Sequence, residues 1–433
     1  MRAATALRLL TCGALAGGAL LATVCCASEV AGPKHLGVAS CAYSNCHGNL
    51  TPQTTRNVAQ NEYRTWLQED RHSQAYRGLE GPAGQAIAAK LGLSSAATAK
   101  ICLDCHADNV PAALQGPRFL LSDGVGCEAC HGGAEKWIVT HAQQGSTHAQ
   151  NVASGMSPTE SPARRAQVCL QCHLGTQERF ATHQLMGAGH PRLRFELDTF
   201  TANQPPHFIV DADYIKRKGK IEDANLWVAG ELEGALRFMT LEQSPFFHAE
   251  GLFPELAFYD CYACHHALDV PRWSAERAGP GIRPGTLRVQ KQQLVMLEAL
   301  AEVVGPRAAV SELAEATAAL TQASQRDFAA GKAAAGKLAQ WLDARQAWVQ
   351  RRYSRAETAS LRKTLLRYAG ADKASDFLTA EQVVLSVEAL SYGLGDHDRH
   401  RGALDSLYDT VKSNASFNPG RFAEVSRSVQ GQF

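Results

Sequence analysis

A repeated pair of cysteines followed at once by a histidine constrains this 433-residue chain more than any other feature. Four copies have strict Cys-x-x-Cys-His spacing, and an earlier, looser copy has four residues between its cysteines. Four strict copies exclude chance, so the chain has to fold around these groups. The copies are Cys41/Cys46/His47, Cys102/Cys105/His106, Cys127/Cys130/His131, Cys169/Cys172/His173 and Cys261/Cys264/His265.

This spacing is the attachment signature of c-type haem. Two thiols add to the haem vinyl groups, and the adjacent histidine ligates the iron from the proximal side. The sequence therefore predicts five covalently attached haem c groups with proximal ligands at His47, His106, His131, His173 and His265. Half of a zinc ribbon is the main alternative for a strict copy, but it would close its Cys-x-x-Cys pairs with further ligands elsewhere. A local disulfide between Cys41 and Cys46 is the alternative for the looser copy.

The remaining histidines are concentrated in the same part of the chain, where they could serve as distal ligands. Fourteen of the 16 histidines and all five motifs precede residue 271. A second imidazole on each iron would give six-coordinate haem, which suits electron relay better than catalysis. We predict distal roles for His72, His141, His183, His190 and His248; His207 is a further candidate, and His35, His148 and His266 are less favoured.

The N-terminus has the features of an export signal. Arg2 and Arg8 precede an apolar stretch from Leu9 to Val24, and small residues follow around Ala27. We therefore predict a cleaved signal peptide over residues 1–27 and a periplasmic protein. An uncleaved membrane anchor is the alternative, although the stretch is short and broken by glycines.

The charge balance restricts the class of partner. The formal net charge is +1, and removal of the two N-terminal arginines would leave −1. Because there is no basic stripe, we expect no nucleic-acid partner. Haem propionates would make the loaded protein more acidic, which favours redox partners with a basic docking patch.

The distribution of apolar residues predicts a mainly α protein with two parts. Residues 28–270 form the predicted multihaem domain with little regular structure, and residues 271–286 form a Pro- and Gly-rich linker. Residues 287–433 should form an all-α helical domain. His397 and His400 are expected to be solvent-exposed loop residues. Predicted helices cover Gln60–Arg77, Ala83–Lys90, Asn225–Met239, Leu287–Val304, Ala308–Ala347, Thr358–Ala369, Thr379–Gly393 and Arg401–Val411.

Several segments make residues 38–270 resemble the cytochrome c-554 family of multihaem cytochromes. They are Trp66–His72, Gly124–Gly133, Ala188–Leu197 and Phe258–His266. The resemblance implies stacked and perpendicular haem pairs in a helical and loop scaffold, with distal roles for His72, His141 and His190. Two features depart from the family pattern: the first motif is Cys-x4-Cys-His, and there are five motifs where the namesake type has four.

Three functions are compatible with the sequence. The favoured one is a periplasmic cytochrome that passes electrons between a quinol-linked donor and a terminal reductase or oxidase. The second is a multihaem oxidoreductase that acts on a small nitrogen or sulfur compound at one haem with an open axial site. The third is a haem-bearing subunit that associates peripherally with a membrane complex through its C-terminal helices.

Overall fold

The chain is mainly α-helical, as the sequence predicts. A computed structural model describes residues 32–54, 58–220, 224–248, 255–265, 286–371 and 373–433. Across these ranges the chain forms no strand, and its β-type pairing consists of two isolated bridges, His35 with Gln115 and Tyr259 with Val289. The mainly α fold class is therefore confirmed.

Short helices dominate the part of the chain that carries the motifs, and 3-10 turns lie between many of them. They are α1 (Glu62–Glu69), α2 (Ala75–Glu80), α3 (Pro82–Lys90), α4 (Lys100–His106), α5 (Cys127–His131), α6 (Ile138–Ala142), α7 (His148–Ala153), α8 (Pro162–His173), α9 (His183–Gly187), α10 (Leu197–Asn203), α11 (Ala212–Lys218) and α12 (Asn225–Glu242).

The helices of the C-terminal part are mostly longer, although α12 with 18 residues exceeds each of them and the shortest has only four. They are α13 (Gln292–Val304), α14 (Ala308–Ser324), α15 (Phe328–Asp343), α16 (Ala347–Gln350), α17 (Arg355–Gly370), α18 (Phe377–Gly393), α19 (Arg401–Thr410) and α20 (Pro419–Val429).

The predicted helices are found in the structure, but their ends are shifted and two of them are interrupted. The predicted Gln60–Arg77 helix ends at Glu69, because Asp70 is extended and caps a new 3-10 turn by accepting from the backbone N–H of His72. The predicted Ala308–Ala347 helix breaks after Ser324. There the Asp327 carboxylate accepts a hydrogen bond from the backbone N–H of Ala330 at 2.7 Å and starts a second helix.

Two hydrophobic clusters of very different size hold the fold together. A small cluster contains Leu79, Ala88, Ala96, Leu103 and Ala107. A large cluster begins at Ala166 in α8 and continues through α12 and the C-terminal helices to Val429. Helix α12 packs against α8 on one side and against α13 and α15 on the other. It therefore joins the motif-bearing chain to the C-terminal helices.

The segments that were predicted to separate the chain into parts fall mostly outside the described residues. The predicted signal peptide lies entirely outside them, and the predicted linker does so up to residue 285. The domain division stays a prediction. The large cluster contains residues of both predicted domains, which therefore share a hydrophobic core. In the described residues, no helix combines the length and apolarity that crossing a bilayer requires.

The two C-terminal histidines differ from their prediction. His400 is buried, its ring stacks on Phe433 with centroids 4.7 Å apart, and Nε2 lies 3.4 Å from Asp396. His397 stacks on Tyr392 at 4.0 Å. Helix α18 and the chain terminus cover both rings, so the prediction of solvent exposure was wrong.

Candidate functional site

Helical backbone aligns the two thiols and the histidine of the strict motifs. Motifs two, three and four lie within α4, α5 and the end of α8. In a helix, positions i, i+3 and i+4 lie on one face, so both sulfurs and the imidazole point to the same side. The fifth motif starts a 3-10 turn, and the backbone N–H of His265 donates to Cys261 O at 2.7 Å.

The looser first motif closes in the same way despite its two additional residues. The backbone N–H of His47 donates to Cys41 O at 3.2 Å, which matches the bond between His265 and Cys261. The additional residues form a turn in which the N–H groups of Cys46 and Gly48 donate to Tyr43 O, each at 2.9 Å. The cysteine–histidine end of the motif is therefore presented as in the strict copies.

The second cysteine of the fifth motif, Cys264, differs from the other predicted haem-binding cysteines. The other nine are partly buried, whereas Cys264 is exposed, and so is the adjacent His265. Cys261 packs against the large cluster, and the 3-10 turn that follows it carries Cys264 away from that cluster to the surface. Spacing alone predicted equivalent roles for all ten cysteines, and the structure shows that their surroundings are not equivalent. Haem attachment at Cys264 stays a prediction.

Each motif histidine lies opposite a second histidine that comes from a distant part of the chain. An imidazole nitrogen lies about 2 Å from a ligated metal ion, so two rings on opposite sides of one ion have centres roughly 6 Å apart. The spacing of these pairs therefore fits one ion between each two rings. The pairs and their centroid distances are His47 with His141 (6.0 Å), His106 with His190 (6.2 Å), His131 with His207 (6.4 Å), His173 with His72 (6.1 Å) and His265 with His183 (6.2 Å).

Several of these imidazoles use Nδ1 for a hydrogen bond within the protein. Such a bond fixes the tautomer and orientation of a ligand and leaves Nε2 for the metal. His141 Nδ1 also lies 3.4 Å from the Asn151 amide. The acceptors are Glu62 for His47 (2.8 Å), Asp70 for His72 (2.8 Å), Ala75 O for His106 (3.0 Å) and Pro191 O for His190 (2.7 Å).

The pKa values of the ligand candidates follow their surroundings. Burial lowers the pKa of His131 to about 3 and that of His173 to about 4, so both imidazoles are neutral, which is the form that binds metal. The hydrogen bond to Asp70 raises the pKa of His72 despite burial. That carboxylate therefore strengthens the basicity of the imidazole that faces His173.

Thiols from different motifs contact each other. The Cys41 thiol of the first motif interacts with the Cys127 thiol of the third, which lowers the pKa of Cys41 and raises that of Cys127. The Cys105 thiol of the second motif interacts with the Cys172 thiol of the fourth, which lowers the pKa of Cys172 to about 6. The motifs are therefore grouped in pairs, first with third and second with fourth.

The structure separates the predicted distal residues into two groups. His72, His141, His183 and His190 each face a motif histidine, whereas the side chain of His248 and all of His266 lie outside the described residues. The fifth partner is His207, which the sequence analysis named as a further candidate and which faces His131. Its only local signal is the preceding Pro205-Pro206 pair, which is typical of a rigid loop.

Two other histidines in this region make contacts of a different kind. His148 uses Nε2 to contact Glu160 at 2.6 Å, so the nitrogen that most ligands use is occupied. His35 contacts Asp108 through Nδ1 at 2.7 Å and takes part in the bridge to Gln115. These contacts fix the loop on which each residue lies.

One comparison with known proteins finds a family. Residues 40–132 match the family described as cytochrome c554 and c-prime, and these residues include the first three motifs. Comparison with curated proteins and with solved structures finds no match. The matched segment contains Trp66–His72 and all but the last residue of Gly124–Gly133, two of the sequences that carried the resemblance. Over residues 40–132 the chain is therefore similar to this family of c-type cytochromes, and the match supports an electron-transfer protein with covalently bound haem c.

Proposed function

We propose that this protein is a periplasmic pentahaem cytochrome that relays electrons between redox partners through bis-histidine haems. The observation that carries the proposal is the set of five histidine pairs, each spaced at 6.0–6.4 Å. Haem c bound at these pairs supplies iron that changes between the ferric and ferrous states. The chain's own residues fix each ring plane through two thioether bonds and two imidazoles.

The pairing favours relay over catalysis at an open iron. Every motif histidine faces a second imidazole, so both axial positions of each iron would be filled by the chain. Six-coordinate iron changes little in geometry on reduction and offers no position for a substrate. The alternative of an oxidoreductase that acts on a small nitrogen or sulfur compound would require one of these pairs to open.

Contacts between the motifs support a continuous relay. The Cys41–Cys127 and Cys105–Cys172 contacts join motifs pairwise. Cys130 of the third motif interacts electrostatically with both Cys169 and Cys172 of the fourth. This connects the two pairs, so electrons entering at the first motif would pass through adjacent sites to the second and fourth.

The predicted export signal supports the periplasmic part of the proposal. Attachment of haem to thiols takes place outside the cytoplasm, and the predicted signal peptide over residues 1–27 would carry the chain there. We propose each redox partner by its class: the electron donor is quinol-linked, and the electron acceptor is a terminal reductase or oxidase. Peripheral membrane association through the C-terminal helices is compatible with this arrangement.

One surface has the character of a docking site for such a partner. Phe208, Ile209 and Val210 are 40–54% exposed and directly follow His207. The guanidinium of Arg165 lies over the Phe208 ring at 5.7 Å, and the last turn of α11 is basic. Transient redox interfaces are small and combine an apolar centre with charged surroundings. This surface would therefore receive a redox protein with acidic groups, the opposite of the preference expected from the net charge.

The haem count and the axial ligands test the proposal together. The mature protein should carry the mass of five haems, and its ferric electron paramagnetic resonance spectrum should be entirely low-spin. Replacement His207→Ala should convert one haem to high-spin iron that binds carbon monoxide when reduced. His148→Ala is the matched control, since His148 faces Glu160, and it should leave all haems low-spin. Four haems, or a high-spin signal in the unmodified protein, would contradict the proposal.

Electron exchange with small charged reagents tests the docking surface. The exposed Lys216 lies in the basic turn of α11, so Lys216→Glu should slow exchange with anionic hexacyanoferrate and speed exchange with cationic hexaammineruthenium. Lys332→Glu on α15 is the control, because it makes the same charge change at an exposed site in the C-terminal part. Equal effects of both substitutions would mean that only net charge matters.

A further inference from the structure

A cavity lies where the fourth and fifth motifs meet the helices of the large core. His173 and Cys261 line it from the motif side, and α12 and α18 contribute buried polar residues from the other side. Apolar side chains such as Phe195 and Phe238 form much of its wall. The cavity therefore brings polar groups of the C-terminal part next to two proposed haem sites.

Glu231 on α12 is the most deeply buried carboxyl group on this cavity. It is 1% exposed, and the side-chain amide of Gln382 donates to Oε1 at 2.6 Å. Its Oε2 is buried without a hydrogen-bond partner, and so is Oε1 of Gln292 on the same cavity. Burial, followed by repulsion from Glu196, raises the pKa of Glu231 well above its usual range. Glu231 Oε2 and Gln292 Oε1 both lack a hydrogen-bond donor, and a proton on Glu231 Oε2 would supply one.

Glu196 provides a second carboxyl group with different support. Its oxygens accept hydrogen bonds from the backbone N–H groups of Asp198 at 2.9 Å and Thr199 at 2.7 Å. Burial raises its pKa to about 7, although these bonds favour the carboxylate. Because Glu196 accepts two backbone hydrogen bonds and Glu231 Oε2 accepts none, a proton that enters this pair of carboxyl groups is best held by Glu231.

This pair of carboxyl groups is linked to the fourth motif by direct packing. The ring of Phe195 stacks on that of His173 with centroids 4.3 Å apart and an angle of 23° between their planes. Glu196 is the next residue along the chain. Charges buried in protein interact more strongly than charges in water. A change of one charge at an iron held by His173 therefore acts on this pair across a short, apolar contact.

We propose that Glu231 is a redox-linked proton-binding site, which makes electron transfer through the fourth or fifth haem proton-coupled. The proposal rests on the proposed haems at His173 and His265. Glu231 would take a proton from solvent onto Oε2 and become neutral when a haem held by His173 or His265 received an electron from the donor. When the electron leaves for the acceptor, the proton returns to solvent, so the charge of the buried region stays constant.

Other charged and polar groups face the same cavity and set the conditions for this proton. Glu381 on α18 pairs with Arg192 at 2.6 Å and Arg194 at 3.7 Å, so its charge is compensated. Ser386 on the same helix interacts with Glu231, and Glu388 interacts with Glu196, although neither of these residues lines the cavity. The ionisable groups that line the cavity are His173, Arg192, Arg194, Glu196, Glu231, Cys261 and Glu381.

Redox titration at a series of pH values tests the proposal. In the holoprotein, the midpoint potential of at least one haem should fall as pH rises through the neutral range. Glu231→Gln keeps the shape of the side chain and removes the titrating group, so this slope should flatten while the low-spin spectrum stays unchanged. Glu298→Gln on α13 is the control, because Glu298 is buried but pairs with Lys373 and does not line the cavity. An unchanged slope in Glu231→Gln would overturn the proposal.

A measurement on the unmodified protein applies if Glu231→Gln does not fold. Reduction in weakly buffered solution should take up protons, and the reduced-minus-oxidised infrared difference spectrum should gain the carbonyl band of a protonated carboxylic acid. Reduction without that band or without proton uptake would overturn the proposal. The Soret band and haem count of the same sample distinguish this result from a failure of the haem assignments themselves.

Discussion

The motif-bearing residues before α8 and the helices after residue 286 are both helical, but different forces stabilise them. The first region has a cluster of five buried apolar residues, of which three are alanine. The second contributes most of a cluster that extends from Ala166 to Val429. Because hydrophobic burial is the main stabilising force in ordinary domains, the first region has too little of it to fold alone.

Polar contacts replace apolar packing in the first region. The buried Glu128 carboxylate accepts hydrogen bonds from the backbone N–H groups of Leu36, Gly37 and Ala134, each at 2.7 Å. The indole N–H of Trp66 donates to Val125 O at 3.0 Å. Such bonds fix the positions of loops but contribute only about 1–3 kcal/mol each to stability. The comparison indicates that covalent haem supplies the missing interior.

Preventing haem attachment should have the largest effect, because one region of the molecule should lose its structure while the other keeps it. In the full chain produced without haem, residues 32–160 should lose protection from hydrogen exchange, because their apolar partner is absent. Helices α13, α17 and α18 should keep their protection, since they bury their own apolar faces. Hydrogen-exchange mass spectrometry resolves both regions in one sample. Equal protection in both regions would contradict the claim that different forces stabilise them.

Creating a cavity in each hydrophobic cluster should also distinguish the two regions, through a smaller difference in the free energy of unfolding. Leu297 on α13 is fully buried in the large cluster, so Leu297→Ala should lower the free energy of unfolding by about 3 kcal/mol. Leu79→Ala in the small cluster should cost less than about 2 kcal/mol, because neighbouring alanines can close the space. Denaturant titrations of the holoprotein give both values. A larger loss at Leu79 would mean that the first region depends on its own core.

Glu242 on α12 should make the stability of the shared core depend on pH. Burial raises its pKa to about 8, and one of its oxygens has no hydrogen-bond partner. The folded state therefore holds this proton where the unfolded chain releases it. The free energy of unfolding should fall by about 1.4 kcal/mol for each pH unit as pH rises from about 5 to 8.

Matched substitutions on the same helix isolate this contribution. Glu242→Gln should abolish that part of the decline, which leaves a shallower dependence of the free energy of unfolding on pH. Glu233→Gln should leave the decline as in the unmodified protein, because Glu233 is partly exposed and pairs with Arg237. Thermal unfolding at pH 5, 6, 7 and 8 would compare the three proteins. Identical slopes in all three would exclude a buried charge at Glu242.

The same contrast explains how much of the fold could be predicted from sequence. In the C-terminal part, apolar periodicity placed α18 within two residues, because its own side chains determine its burial. In the motif region, the predicted Gln60–Arg77 helix was interrupted at Asp70. That carboxylate contacts His72 and accepts from Gln204, 134 residues away, so long-range polar contacts that leave no periodic signal fix its conformation.

The candidate site shows the same limit. The five motifs could be identified from spacing alone, because their chemistry is local, but spacing did not show that Cys264 lies at the surface. The distal histidines come from distant parts of the chain: His207 is 76 positions from His131, and the Pro205-Pro206 pair before it indicates a rigid loop but does not identify a ligand. His207 lies in the loop between α10 and α11, and the tertiary fold brings this loop to the third motif. The pairing of distal histidines with motif histidines therefore depends on the whole fold.

The smallest expected difference concerns two capping boxes, one in each region. In α17, Ser354 Oγ accepts from the N–H of Glu357 at 3.2 Å, and the Glu357 carboxylate accepts from the N–H of Ser354 at 2.9 Å. In α7, Thr147 and Gln150 make the same reciprocal bonds at 3.2 and 2.8 Å. Ser354→Ala should lower the free energy of unfolding by about 1 kcal/mol, because α17 belongs to the cooperative core.

Thr147→Ala tests whether a cap in the haem-centred region contributes to global stability. Helix α7 has only six residues and contributes no residue to either hydrophobic cluster. Its loss should therefore increase hydrogen exchange locally, near residues 148–153, and leave the denaturation midpoint unchanged. If Thr147→Ala instead lowered the midpoint as much as Ser354→Ala, the two regions would unfold as one cooperative unit. Haem would then stabilise the entire chain through the shared helix α12.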